Sequence, residues 1–338
     1  MKVSVVIPTH NRSGPLAKTL LYLSRQQFTE PWEAIVVNNR CVDDTDEVVR
    51  AQRFPAPLRL IHEEKPGASA ARNAGIAVAS GRYIVLVDDD ILTEPDYIRR
   101  HYELLLSNPG CWITGQVVNL PEQLATPFGK YRQSLQPFVP RESAAVDDHR
   151  FTANNASLPR ADWERLGGFD EIYTGAGVED YEFAVRAWDA GIKILFCPSI
   201  VSIHNDWAGF SIKDFCLRQR MGNRFMPLLW QKYGDRLVKL RLVRRNLPPD
   251  WRLDGPALFA NKLVKSALAA KHWQTALSGA CAFLERNWPW PPILHRLYKV
   301  MVAVAIYQGY QEGLARYGSG SGGVSIINSK SRRPGLGH

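Results

Sequence analysis

The chain has 338 residues, of which 45% are hydrophobic and 22% charged, with a formal net charge of +9. That length has room for one large or two modest domains, and the balance is ordinary for a folded soluble protein. The longest apolar run, Val300–Tyr307, is eight residues, too short to span a membrane, and the five scattered cysteines show no CxxC spacing, so neither a disulfide framework nor a zinc site is suggested. The N-terminus has neither the long apolar core nor the small-residue cleavage site of a secretion signal, so a reducing cytoplasm is the expected compartment.

Val3–Ile7 reads as a buried strand, and Pro8–Arg12 as the loop leaving it. Leu16, Leu20 and Leu23 recur at helical spacing. Ala34–Val37 is a second strand ending at Asn38 and Asn39; Asp43, Asp44 and Thr45 then offer helix caps. Leu58–Ile61 is a third strand, and Ala68–Ala79 an alanine-rich helix closed by Gly81. Tyr83–Val87 is a short β-branched-rich run that meets three consecutive aspartates, Asp88, Asp89 and Asp90. This β-α-β-α-β-α-β alternation predicts a mostly parallel, helix-covered sheet with right-handed crossovers.

Three strand ends then share one edge: Pro8–Arg12, Asn38–Asn39 and Asp88–Asp90. Ligands bind at that edge in open α/β sheets. Adjacent carboxylates repel unless a cation sits among them, and carboxylates beside a phosphate-bearing substrate suit Mg²⁺ or Mn²⁺. Read alone, the same three residues also describe a solvated acidic loop. No GxGxxG follows the first strand and no GxxxxGK[ST] occurs, so a dinucleotide fingerprint and a P-loop are both absent.

Four blocks, Val5–Arg12, Ile35–Thr45, Pro66–Gly75 and Tyr83–Asp90, resemble the successive motifs of family 2 glycosyltransferases, and the resemblance extends from about Val3 to His204. It implies a GT-A, Rossmann-like fold that transfers a hexosyl or related group from a UDP-, GDP- or dTDP-linked sugar, with inversion. It also implies roles. Pro8 and Thr9 border the base and ribose, with Asn11 and Arg12 in the same donor loop. Asn38 stands where the family has a base-reading aspartate; an amide both donates and accepts, which puts a uridine preference in doubt. Arg72 is placed to grip a phosphate. Asp88 and Asp90 match the family's DxD motif, Asp88 toward the ribose and Asp90 on the metal, with Asp89 between them.

Residues 151–206 supply the rest of the expected site. Asn155 and the Gly167–Asp170 stretch, with Gly168 and Phe169, fall on the acceptor side. Glu179-Asp180 resembles the family's acidic pair, with Asp180 as general base and Glu179 holding it or positioning the acceptor. A carboxylate there is also an ordinary helix-start residue. Ile192–Phe196 is another strand, and His204 occupies the place of a second metal ligand beside Asp90.

Beyond Trp207 the resemblance fades. Phe215–Tyr233, Ala257–Glu285 and Leu294–Tyr317 read as helices, and Trp288–Pro292 as a rigid aromatic break. Lys232–Lys299 holds 13 Lys and Arg against four Asp and Glu, the whole of the net charge. Tryptophan beside basic helices suits an anionic membrane surface, and equally a helical cap over the sheet. The expected division is a catalytic domain over 1–225, a basic helical extension over 226–317 and a flexible Gly/Ser-rich tail over 318–338. The expected function is metal-dependent glycosyl transfer to a glycan or lipid-linked hydroxyl in cell-surface polysaccharide or glycolipid synthesis, in the cytoplasm or on the inner membrane face, without nucleic acid. A non-enzymatic nucleotide-sugar or anionic-polymer binding module, and a sugar-phosphate nucleotidyltransferase, are the alternatives; the second would want a Gly-rich phosphate loop that the chain lacks.

Overall fold

The computed structural model describes residues 1–135, 142–146, 151–174, 177–205, 210–234 and 245–318. β1 (Val3–Thr9) lies between β2 (Trp32–Asn38) and β4 (Tyr83–Val87), all parallel, and β3 (Leu58–His62) extends the sheet beyond β2. The crossovers α1 (Ser13–Leu23), α2 (Thr45–Arg50) and α3 (Ala68–Ala77) fall where the alternation predicts them. Both faces of this quartet are covered. Val3, Val5 and Ile7 pack on one side with Leu16, Leu20 and Leu23 of α1. Val6, Ile84 and Leu86 pack on the other with Ala71 and Ile76 of α3. Each such fully buried aliphatic side chain contributes about 1.5–3 kcal/mol. A methyl group on Gly75 would strike Val6 and Val37, so glycine there lets α3 lie close over β1 and β2.

The second half of the sheet comes from β5 (Ile91–Thr93), β6 (Cys111–Asn119), β7 (Ala144–Val146), β8 (Asn155–Pro159) and β9 (Lys193–His204). The order is β3-β2-β1-β4-β8-β6-β9-β5, with β7 on β9. β8 is antiparallel to both β4 and β6. β5 pairs with the end of β9, Ile91 opposite His204. Strands leave β1 and β4 in opposite directions across the sheet, so the crevice outside their carboxyl ends is a topological switch point.

The remaining helices are α4 (Tyr97–Ser107), α5 (Pro121–Ala125), α6 (Pro127–Ser134), α7 (Arg160–Leu166), α8 (Val178–Asp189), α9 (Ile212–Asn223) and α10 (Met226–Tyr233), then α11 (Pro256–Leu268), α12 (Lys271–Asn287) and α13 (Pro291–Tyr317). Two helices expected to be continuous are broken. Phe215–Tyr233 divides into α9 and α10 because Pro227, without an N–H, starts a new helix. Ala257–Glu285 divides at Ala270, which is extended, while the side chains of Gln274 and Gln308 donate to the freed Ala269 carbonyl. The helices beyond residue 226 share a core with the sheet domain: Met226, Leu229 and Tyr310 pack with Val178 and Tyr181 of α8. The expected tail, from residue 319 on, lies outside the described residues, as do 241–244 of the basic stretch.

Candidate active site

The three strand ends do converge. Together with α3 and the start of α8 they enclose a cavity of about 610 Å³. Pro8 and Thr9 line it from the end of β1 and Arg12 from the loop that follows, Arg72 from α3, Asp88–Asp90 from the loop after β4, and Glu179 and Asp180 from α8. Five carboxylates therefore face two guanidinium groups among the described lining residues.

Arg72 is the hub. Its side chain is buried, and its two terminal nitrogens lie 2.9 Å from Asp88, 3.2 Å from Glu179 and 3.3 Å from Asp180. Asp180 also accepts the Ala153 N–H at 2.9 Å. Burial raises both Glu179 and Asp180; the Asp180 charge adds to the rise of Glu179, and the Asp88 charge to that of Asp180. Glu179 is pushed up to about 8, and its Oε2 has no hydrogen-bond partner among the described residues. The Ala153 N–H and Arg72 both work to hold the Asp180 charge, against the burial that raises it.

Arg12 organises the other wall, 3.2 Å from Asp89 and 2.5 Å from Asp90. Thr9 donates its hydroxyl to Asp89 at 2.7 Å, and Thr19 donates to the Asp89 carbonyl at 2.9 Å. Burial pushes Asp89 up to about 7, against the pull of Arg12. Burial works to raise Asp90 as well, but the His204 hydrogen bond and the Arg12 charge hold it below its ordinary value. His204 Nε2 is 3.2 Å from Asp90 Oδ2, an adjacency created by the β5–β9 pairing. Asp90 Oδ1 is buried without a hydrogen-bond partner.

Other expected site residues lie outside the cavity lining. Asn38 is buried with both ends of its amide engaged: it donates to Asp46 and accepts from the Cys41 N–H, each at 2.7 Å. Its neighbour Asn39 lines the cavity instead. Asn11 is exposed and accepts the Val42 N–H at 2.7 Å. Asn155 is wholly buried and donates to Gln116 O, Ile200 O and Ser202 Oγ, filling the register shift between β6 and β9. Gly168 and Phe169 stand behind Arg72: the guanidinium lies 5.7 Å from the Phe169 ring, and a side chain on Gly168, at φ +74°, would strike Asn73 of α3. His10, Asn39, Thr152, Asn154 and Thr174 line the cavity without having been singled out in the sequence. His10 and Asn39 sit at the predicted strand ends, which was the available signal; nothing marks Thr174.

A sequence model described as glycosyl transferase family 2 matches residues 4–147, and one described as the N-terminal domain of galactosyltransferase matches residues 147–206. An uncharacterized glycosyltransferase of Bacillus subtilis (strain 168), YwdF, is 30% identical over 240 residues, 69% of this chain and 85% of that protein. The chain belongs to glycosyl transferase family 2. A validoxylamine A glucosyltransferase from Streptomyces hygroscopicus subsp. jinggangensis is 30% identical over 224 residues, 57% of this chain. This chain spans about half the length of that family member, 52%. A mannosyltransferase from Pyrobaculum calidifontis, solved in complex with GDP-Man and Mn²⁺, aligns at a TM-score of 0.61 with 18% identity, over 92% of this chain and 88% of that one. The fold is thus the GT-A arrangement of family 2, a mostly parallel sheet with flanking helices and a C-terminal helical region.

Proposed function

We propose that the protein is an inverting glycosyltransferase that moves a hexosyl or related sugar from a nucleoside diphosphate to an acceptor hydroxyl on a glycan or lipid-linked carrier. The observation that carries this reading is the convergence of the buried Glu179–Asp180 pair with Arg72 and the three aspartates on one cavity. The glucosyl- and mannosyltransferase names of its relatives support the hexosyl class.

The lining suits a divalent cation. Five carboxylates against two guanidinium groups leave a deficit of positive charge, and Asp90 Oδ1 is a buried lone-pair donor without a partner. No group of three or more His, Cys, Asp or Glu side chains is disposed to hold a metal ion by itself among the described residues, so Asp90 and His204 would share such an ion with substrate oxygens and water. A bound Mn²⁺ or Mg²⁺ supplies positive charge where the diphosphate departs.

The chain's own residues do the rest. Thr9, Asn39 and Asp88 border the nucleoside, while Arg12 and Arg72 offer charged donors to the diphosphate. The acceptor oxygen bonds to the sugar C1 as the C1–O bond to the diphosphate breaks, and Asp180 takes the acceptor's proton. One displacement with one base inverts the anomeric centre. Asn154 Oδ1, buried on the cavity wall without a partner, can accept from a sugar hydroxyl.

The test is incubation with UDP-, GDP- and dTDP-sugars and Mn²⁺, following nucleoside diphosphate release. Asp180→Asn is expected to bind donor as the unmodified chain does and to lose transfer by about 10²–10⁴-fold. Transfer near the unmodified rate in Asp180→Asn refutes the base. Donor binding without release under any condition favours the binding-module reading.

A further inference from the structure

α11 is built inside out. Its two charged residues, Lys262 and Lys265, point inward and are buried. Lys262 donates to Asp254 at 2.7 Å and Lys265 to the Asn246 side chain at 2.9 Å. The outward face holds Ala257, Ala260, Leu263, Val264 and Ala267, recurring at helical spacing with no charge among them. Amphipathic helices in soluble proteins turn the other way.

α12 continues the pattern. Trp273, Ala276, Ala280 and Phe283 fall on successive turns of one exposed stripe, with Phe283 64% exposed. Past its end the exposed rings of Trp288 and Trp290 stack at 6.0 Å. Trp251, just before α11, is 73% exposed. Scattered single apolar residues on a surface need no explanation, but an uncharged helix face continued by an aromatic stripe and a Trp pair marks an interaction surface.

Charge decides the occupant. The exposed charged side chains among described residues 245–300 are Arg245, Arg252, Lys271, Arg286, Arg296 and Lys299, all cationic. The three carboxylates of that stretch are withdrawn from the surface: Asp254 is taken by Lys262, Glu285 accepts the Tyr298 hydroxyl at 2.5 Å, and Asp250 is half-buried. A two-fold dimer through this face would set cation against cation. A nucleic acid would match the cations but leave Leu263, Val264 and Phe283 in water. An anionic bilayer surface satisfies both halves: indole and aliphatic groups enter the headgroup layer, and lysines and arginines meet lipid phosphates. No helix of the described residues is long and apolar enough to cross a membrane, so the contact is with one leaflet.

We propose that α11, α12 and the Trp288–Trp290 turn form a docking face for an anionic membrane surface. None of these residues lines the acidic cavity, so the proposal stands apart from the transferase reading and fails separately from it.

Co-sedimentation of the full chain with phosphatidylglycerol–phosphatidylcholine vesicles tests it, with tryptophan quenching by brominated lipid as the depth readout. Binding is expected with the anionic vesicles, weakened by salt and by pure phosphatidylcholine. Arg252→Gln with Lys271→Gln and Arg286→Gln should lower the partition coefficient on the order of a hundredfold, from roughly five-fold per cation. Trp273→Ser with Phe283→Ser and Trp288→Ser should abolish quenching. All six positions are exposed, so both variants should keep the parent circular dichroism and melting curve. No sedimentation with anionic vesicles, or binding unchanged in both variants, overturns the proposal. So does a stable dimer in the ultracentrifuge that the apolar variant dissociates, which would make a second copy the occupant.

Discussion

Replacing Arg72 by methionine isolates what one cation does for the acidic cavity. Methionine keeps much of the aliphatic stem beside Phe169 and removes only the guanidinium. That group is 3% exposed and lies within 3.3 Å of Asp88, Glu179 and Asp180, two of which are themselves buried. Taking one partner from a buried ion pair costs about 3–5 kcal/mol, because the remaining charge has neither water nor a counter-ion. At roughly 2–4 °C per kcal/mol for a domain of this size, melting should fall by about 10 °C at neutral pH. The loss depends on pH in a definite direction. A carboxyl whose folded pKa lies above its unfolded value contributes stability below the unfolded value and loses it as pH rises through the folded one. Burial already places Glu179 in that class, at about 8 against an ordinary 4.5, and burial raises Asp180 likewise. Without Arg72 both rise further, so the deficit should be small near pH 5 and largest near pH 8. Thermal melts followed by circular dichroism at both pH values measure it, and adding Glu179→Gln to Arg72→Met should recover part of the loss. An equal shift at both pH values, or one under about 2 °C, would refute the reasoning.

Asp90→Ala should abolish the metal-dependent part of donor binding. Calorimetry with Mn²⁺ and with EDTA should then give the same weak affinity in the variant, while the unmodified chain loses affinity only in EDTA. Asn38→Asp should not restore a base-reading aspartate but should set a second carboxylate against Asp46, now 2.7 Å from the Asn38 amide. The expected cost is about 1–3 kcal/mol near neutral pH, read from melting curves. It should shrink below pH 4, where the new carboxyl is protonated; a variant as stable as the parent would mean that the amide is not held there.

The strand-helix alternation of the first 90 residues was legible because burial on both faces leaves continuous apolar runs between breakers. The three-residue β5 was not: Ile91–Thr93 is a strand only because β9 lies beside it, and that pairing also brings His204 to Asp90. Asn38 and Asn39 illustrate a finer limit. Side chains on a strand alternate, and which of two adjacent asparagines faces the cavity depends on the strand's setting against β1 and α2, not on residue type. Asn155 carries the chemistry of a binding residue yet spends it on carbonyls that a register shift left open. The buried lysines of α11 invert the periodicity by which a helix is normally oriented, so sequence pattern alone would have turned that helix over.

The antiparallel strand β8, set between β4 and β6, has a consequence for synthesis. The strands β1 to β4 can pair among themselves once about 90 residues have emerged, because β1 pairs with β2 and β4, and β2 with β3, all within that stretch. β4 then waits for β8, which begins at Asn155. In that interval its five wholly apolar residues form a bare sheet edge, the kind of surface on which nascent chains pair wrongly. The acidic cavity closes later still, since Arg72 meets Asp180 across 108 residues of chain. Birth from the ribosome therefore places the aggregation hazard in the middle of the sequence, and completes the chemistry only after that hazard has been covered.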